Sequence, residues 1–158
     1  MEKEQTTIVL FSGDLDKAIA AFIIANGAAA YDHDVTIFFT FWGLNTMRKD
    51  EVVKTDKGLL EKTFGWMMPR GPRKLGLSKM NMMGMGPKMI KHVMKKRKAL
   101  SLPQLIELAQ EQGVKLVACT MTMDLLGLRK EELTDGMELA GVAAYLGDAT
   151  RAKVNLFI

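Results

Sequence analysis

The chain has one cysteine among 158 residues, and this scarcity limits both its architecture and its location. A single thiol cannot form an internal disulfide, so a hydrophobic core must hold the fold. One domain of this length buries about two thirds of the surface that its unfolded chain exposes, which makes covalent staples unnecessary. Residues 1–5 lack the basic and apolar regions of a signal peptide. We therefore expect one soluble domain in a reducing cytoplasm.

Long apolar runs, nucleotide-binding motifs and clustered metal ligands are also missing. The longest charge-free apolar stretch, 18–31, is shorter than the roughly 20 residues that span a bilayer, and it predicts a buried helix. The glycines have neither P-loop nor dinucleotide-fingerprint spacing. His33 falls in a charged turn and His92 among lysines, so we expect both at the surface. The sequence predicts no cofactor and no metal site.

Acidic residues are absent from residues 62–106, a segment that contains eleven Lys or Arg. The rest of the chain carries the other eleven basic residues together with all 18 acidic residues. Eight of the 13 methionines also fall in the basic segment: Met67, Met68, Met80, Met82, Met83, Met85, Met89 and Met94. The pattern indicates a single domain, 1–158, with a basic, Met-rich insert at about 43–100.

The beginning of the chain predicts a βαβ unit. Residues 7–11 form a short apolar run typical of a buried strand, and 35–41 form a second, β-branched and aromatic run. Between them, apolar residues recur at helical spacing from Leu15, with Asp14 in the position of a helix cap. A crossover of this length joins parallel strands.

Regular alternation returns after the insert, for which we expect irregular structure with short helices, one of them at 58–66. Ser101 and Gln104 form a capping box ahead of a helix that ends at Gly113, and strand 114–119 follows. Residues 120–124 predict a polar loop. A second capping box at Asp135 predicts a helix that reaches Leu146, and residues 154–158 predict the last strand. Four strands are clear, and a fifth could lie in the insert.

Cys119 is the chemically distinctive residue because it ends a predicted strand. Ligands of open parallel sheets bind at the carboxyl ends of the strands, so two short segments share this rim. If their strands are neighbours, the segments face one crevice, formed by Ser12, Gly13, Asp14, Cys119, Thr120, Met121 and Thr122. The basic insert could supply cations that stabilise the thiolate form of Cys119. The alternatives are a buried, unreactive cysteine and an Asp14 that only caps a helix.

Two stretches, 116–127 and 11–18, resemble the DsrE/DsrF-like sulfur-carrier family. The chain is most similar to the family's longer branch, often labelled peroxiredoxin-like, with Met67-Met68-Pro69 and the block 80–85 in matching order. The resemblance implies a three-layer α/β/α fold with a mostly parallel sheet of four to five strands, and homo-oligomerisation. It also implies that Cys119 accepts sulfane sulfur as a persulfide. The implied donor is a rhodanese-like or desulfurase-type protein, and the implied acceptor is a small TusA-like carrier.

The chain departs from that branch in two respects. Some members carry a second cysteine towards the C-terminus, whereas Cys119 is alone here, which excludes an intramolecular resolving step. No Pro-x-x-x-Thr-x-x-Cys arrangement precedes Cys119, so we do not expect thiol peroxidase activity. A persulfide needs one sulfur atom only, because the thiolate attacks the outer sulfur of its donor.

The basic, Met-rich insert suggests an alternative function as a non-catalytic module that docks a partner or a membrane surface through 67–98. A helix would place Met82, Met85 and Met89 on one face, beside several cations. Otherwise the methionines pack in an oligomer or against the sheet while the lysines are solvated. Thioethers also suit Cu(I), but the segment has no cysteine. Nucleic acid is not expected, because aromatic residues are few.

Overall fold

The computed structural model describes residues 2–158 and consists of a five-stranded parallel sheet with helices on both faces. The strand order is β4-β3-β2-β1-β5. The strands are β1 (Gln5–Leu10), β2 (Asp34–Phe39), β3 (Lys115–Cys119), β4 (Glu138–Ala140) and β5 (Val154–Phe157). All four neighbouring pairs are parallel, which confirms the predicted α/β fold class and the βαβ beginning.

The helices are α1 (Leu15–Ala30), α2 (Leu59–Met67), α3 (Met85–Lys96), α4 (Leu102–Glu111), α5 (Thr120–Leu126) and α6 (Val142–Ala149). Short 3₁₀ segments span Phe41–Met47, Met82–Gly84 and Lys130–Glu132. Among residues 2–158, none of the helices combines the length and the apolar character needed to cross a bilayer.

Side chains alternate between the two faces of the central strands, which divides the buried residues into two clusters. The larger cluster packs the sheet against α1 and α4 and includes Ile8, Leu10, Ile37, Phe39, Leu116 and Ala118. The smaller cluster contains Val9, Phe38, Val117 and Cys119, with Ala140 and Tyr145 packed against it. Tyr145 belongs to α6, so α6 covers the face that carries Cys119. The result is the expected three-layer arrangement.

The capping predictions had different outcomes. Ser101 forms the predicted capping box: its Oγ accepts from Gln104 N at 3.5 Å, and its backbone N–H donates to Gln104 Oε1 at 2.9 Å. Asp14 occupies the N-cap position of α1, but its side chain makes no cap hydrogen bond. Asp14 Oδ2 instead accepts from Ser12 Oγ at 2.9 Å and pairs with Lys17 Nζ at 3.2 Å.

Three predictions of secondary structure are wrong. The fifth strand is β4, outside the insert, and it occupies part of the region predicted as a helix. Gly136 has a φ of 87°, which makes Asp135-Gly136 a turn, and the helix begins only at Val142. The polar loop predicted at 120–124 is also absent, because α5 begins directly at Thr120. Tertiary pairing with β3 overrides the helical pattern around Leu139.

The insert is anchored by a buried cluster of ions. The guanidinium of Arg48 donates to the carbonyl oxygens of Gly65 at 3.1 Å and Pro69 at 3.3 Å. Glu132 accepts from Lys57 Nζ and from the backbone N–H of Arg129, and lies 3.9 Å from Arg48. Burial lowers the pKa of Arg48, and the positive charge of Arg70 acts in the same direction, whereas Glu132 opposes both. These contacts attach α2 to the body of the domain.

The two histidines differ. His92 is exposed on α3, as predicted. The surface prediction for His33 is wrong, because its side chain is only 14% exposed. Its Nδ1 forms a hydrogen bond with Thr6 Oγ1 at 2.8 Å, and its Nε2 lies 3.6 Å from Glu4 Oε2. His33 therefore joins the start of β2 to that of β1, at the edge opposite Cys119.

Candidate functional site

Cys119 is the last residue of β3, and the chain turns directly from it into α5. It pairs with Ala140 of the edge strand β4 and has extended backbone angles, φ −69° and ψ 113°. Helix α5 follows because Met123 and Leu126 turn towards the core and Gly127 ends the helix with a left-handed φ of 65°. Cys119 therefore lies at the carboxyl edge of the sheet, as predicted.

The thiol lies under a cover of apolar side chains. Cys119 is only 4% exposed, within the small cluster that faces α6. The rings of Phe38 and Tyr145 stack with their centroids 5.0 Å apart, directly beside this cluster. Three surface cavities flank other parts of the domain, and Cys119 lines none of them. In this conformation a substrate needs a local opening to reach the sulfur.

The hydroxyl residues that follow Cys119 differ in exposure. Thr122 is fully buried, and its Oγ1 forms a 2.9 Å hydrogen bond with Thr40 Oγ1 beyond the end of β2. Thr120 is half-buried, and a Cβ built on Gly141 would lie 4.0 Å from its Oγ1. Met121 points its side chain into solvent. Thr120 and Gly141 therefore border Cys119, whereas Thr122 ties β2 to α5.

The segment Ser12-Gly13-Asp14 shares the edge with Cys119 but is not its neighbour. Strand β2 lies between β1 and β3, so the condition for one shared crevice is not met. Two strand spacings amount to about 10 Å. Gly13 lies against Trp42, since a Cβ at Gly13 would approach the carbonyl oxygen of Trp42 to 2.8 Å. The residues after β2 thus separate the two predicted halves of the site.

The expectation that the basic insert supplies cations to Cys119 is wrong for α3. Lys91 and Lys95 of α3 line a cavity together with α1 and α4, which cover the other face of the sheet. Val9, Phe38 and Val117 form the apolar cluster that contains Cys119, and Ala140 and Tyr145 pack against it.

Sequence reasoning missed the residues that cover the thiol. Phe38 lies on the same face of the sheet as Cys119, but the sequence alone does not show this, because the assignment needs the register of β2 against β3. Tyr145 is the only aromatic residue of α6, which was a weak signal. Gly141 marks the junction between β4 and α6, but the sequence interpretation placed it inside a helix.

Among residues 2–158, no group of three or more histidine, cysteine or carboxylate side chains is arranged to hold a metal ion.

Comparison with known proteins shows the family to which this α/β chain belongs. A model of the DsrE/DsrF/DrsH-like family matches residues 2–157, and this chain belongs to that family. The sulfur carrier protein DsrE2 of Allochromatium vinosum is 40% identical over 166 residues, which cover the whole of both chains. The uncharacterized protein YrkE of Bacillus subtilis is 71% identical over 157 residues, covering 99% of this chain and 98% of YrkE.

Solved structures show the same fold at low sequence identity. The ychN protein of E. coli superposes with a TM-score of 0.55 at 12% identity, over 98% of this chain and 99% of its own. The protein MTH1491 of Methanobacterium thermoautotrophicum, whose function is unknown, has a TM-score of 0.60 at 12% identity, over 99% and 100%. At such identity the likeness concerns the fold alone.

Proposed function

We propose that this chain is a cytoplasmic sulfur-transfer protein that carries sulfane sulfur as a persulfide on Cys119. The observation that carries the proposal is the position of the sole cysteine at the carboxyl edge of the parallel sheet, where such folds bind ligands. Family membership and a 40% identical relative named as a sulfur carrier support it. A carrier needs one thiol, and this chain has one.

The chemical step needs no oxidant and no metal. The thiolate of Cys119 attacks the outer sulfur of a donor persulfide, the donor's S–S bond breaks, and the donor leaves as a thiolate. A new S–S bond forms on Cys119, and the proton of the donor's persulfide stays with the transferred sulfur. Electrons and charge balance, since one thiolate enters and one leaves. Delivery to an acceptor thiolate is the same reaction in the opposite direction.

Access to the thiol is the step that the protein must control. Helix α6 contributes no buried residue, and it begins after Gly141, which has extended backbone angles. A segment with few buried contacts opens at a low free-energy cost. We infer that α6 moves from Cys119 when a donor docks, and that Gly141 absorbs the change. The apolar cover then protects the persulfide from solvent between transfers.

The remaining rim residues form the proposed docking border. Thr120 lies nearest to the thiol, and Met121 is exposed beside it. Ser12, Gly13 and Asp14 belong to the outer border, about two strand spacings away, which a partner protein is large enough to span. The buried Thr122 supports this edge from inside by joining α5 to the end of β2. The proposed donor is a rhodanese-like or desulfurase-type protein, the proposed acceptor is a TusA-like carrier, and the chain acts as a homo-oligomer.

Intact-mass spectrometry tests the proposal. After incubation with polysulfide or with thiosulfate-loaded rhodanese, the protein should gain the mass of one or more sulfur atoms, and dithiothreitol should remove it. Cys119→Ser should gain none, and Thr63→Ser, a change at an exposed position of α2, is the control that keeps the thiol. Absence of sulfur uptake by the wild type, under conditions that load a known carrier, would reject the carrier function.

A second candidate function, docking through 67–98, is favoured by the exposure of the methionines. Met83 is fully exposed, and Met80, Met85 and Met89 are more than half exposed, so these four methionines do not pack against the sheet, whereas Met68 is buried in the core. Met85 and Met89 share a face of α3, whereas Met82 precedes the helix in a 3₁₀ segment. Such a surface suits an acidic partner or an anionic membrane.

The two functions make opposite predictions for two variants. Charge reversal at Lys95, Lys96 and Arg97 should weaken binding to anionic liposomes or an acidic carrier at low salt, and leave polysulfide loading of Cys119 intact. Cys119→Ala should leave that binding unchanged. If the charge-reversed protein binds as well as the wild type, the segment is a solvated face and the docking function is wrong.

A further inference from the structure

A groove separate from Cys119 lies between α1, α3 and α4, on the opposite side of the sheet. Its volume is about 670 Å³, within the range of roughly 300–1,000 Å³ that is typical of small-molecule sites. The fully buried side chains Leu15 and Leu102 form part of its lining, together with the partly buried Ile19 and Met94. These side chains make the lining predominantly apolar.

Cations surround this apolar lining. Arg73, Lys91 and Lys95 contribute to the wall, against one carboxylate, Glu107. Arg73 is partly neutralised, because its guanidinium lies 2.8 Å from Asp50 Oδ2. Helix α3 itself contains no acidic residue. The groove therefore carries excess positive charge even after these neighbours are counted.

Lys91 is the most constrained of these cations. Its Nζ donates to the carbonyl oxygen of Arg73 at 2.6 Å, which holds the ammonium at the wall. Burial lowers the pKa of Lys91, and no carboxylate among the described residues offsets this effect. The Lys91 side chain is still exposed, so its ammonium, held at the wall without a carboxylate partner among the described residues, can pair with an anion that enters the groove.

We propose that the groove binds a single-chain amphiphile with an anionic head group, of the fatty carboxylate class. The hydrocarbon chain lies along Leu15 and Leu102, and the head group contacts the ammonium of Lys91. A second copy of the chain does not suit this surface, because the cations of α3 would face their own equivalents across a two-fold axis. Since Cys119 lies on the other face of the sheet, occupancy of the groove does not block the thiol.

Direct binding measurements separate the contributions of charge and chain. Calorimetry with decanoate below its micelle concentration, decanol below its solubility limit and acetate should show binding of decanoate to the wild type. Decanol should bind at least about tenfold more weakly, because it lacks the charge. Acetate should show no measurable binding, because it lacks the chain. Equal binding of decanol and decanoate, or no binding of decanoate, would overturn the proposal.

Variants locate the site. Lys91→Met keeps the length of the side chain and removes its charge, and it should lower the affinity for decanoate about tenfold or more. Ala99→Trp places a bulky ring at the groove wall and should abolish binding. Lys98→Gln is the matched control, since Lys98 is exposed outside the groove. Circular dichroism establishes that each variant is folded, and unchanged affinity of both Lys91→Met and Ala99→Trp would place decanoate elsewhere and contradict the proposal.

Discussion

The two faces of the sheet are covered very unequally. The face under α1 and α4 contains most of the buried apolar side chains, including the fully buried Phe22 of α1. The face under α6 contributes Val9, Phe38, Val117 and Cys119, and α6 itself has no buried residue. The heavily covered face can hold the fold without help from α6. The opening that we propose at the thiol would then leave the larger core in place.

The largest expected effect is a difference in the free energy of unfolding between substitutions on the two faces of the sheet. Phe22→Ala should lower the free energy of unfolding by about 3–5 kcal/mol, because it removes a fully buried ring that packs on Phe39. Leu146→Ala on α6 should cost less than about 1 kcal/mol, since Leu146 is half-exposed. Urea unfolding followed by circular dichroism measures both. Both are measured at protein concentrations low enough to keep the chains dissociated, and similar losses there would mean that α6 holds the core as firmly as α1 and that the inequality is false.

The second prediction concerns that assembly. Val142, Leu146 and Phe157 expose large apolar surfaces on the thinly covered side, and such patches usually mark interfaces. We expect a homo-oligomer, with a mass by light scattering of at least twice the 17.6 kDa of one chain. Leu146→Glu should lower that mass, whereas Leu59→Glu, which alters an exposed residue of the insert, should not. A species of 17.6 kDa at all micromolar concentrations would contradict the prediction.

The sequence predicted the central part of the sheet well, for a physical reason. Residues of β1 and β2 are buried on both faces, so each strand appears as an unbroken apolar run between turn signals. Strand β4 gives no such signal. It has only three residues, two of them exposed, and it forms because β3 presents an unpaired edge at Ala118 and Cys119.

Only those features of the candidate site that depend on residues close together in the sequence could be predicted. The position of Cys119 at a strand end follows from the apolar run 114–118. The burial of its thiol does not, because Tyr145 arrives from 26 positions further along the chain. The separation of Ser12 from Cys119 depends on strand order, which the sequence left open. Local patterns thus identified the candidate sulfur atom, and long-range packing determined what covers it.

The third prediction tests whether α6 controls access. Tyr145→Ala should raise the alkylation rate of Cys119 by iodoacetamide about two- to tenfold, because the lost ring stacking on Phe38 is worth about 0.5–1.5 kcal/mol. Tyr31→Ala is the matched control, since Tyr31 is exposed at the end of α1. Mass spectrometry over time gives both rates. If Tyr145→Ala reacts no faster than Tyr31→Ala, α6 does not limit access to the thiol.

The smallest expected effect concerns the attachment of the insert to α1. Asp16 Oδ1 accepts from Ser78 N at 2.9 Å, and Asp16 Oδ2 accepts from Ser78 Oγ at 2.5 Å. Burial by itself raises the pKa of Asp16, but these hydrogen bonds outweigh it and hold the pKa below its ordinary value. A lowered carboxyl pKa in the folded state contributes stability at pH values above the unfolded pKa, and this contribution disappears as the pH falls through the folded pKa.

Asp16→Asn should therefore lower stability at neutral pH by less than about 1 kcal/mol, since the carboxylate is mostly exposed and solvent screens it. The same variant should lose less stability than the wild type between neutral and strongly acidic pH, because it has no proton to take up at this position. Urea unfolding over that pH range measures the difference, with Asp124→Asn as the exposed control. Parallel pH profiles for Asp16→Asn and the wild type would show that the contacts with Ser78 do not stabilise the attachment.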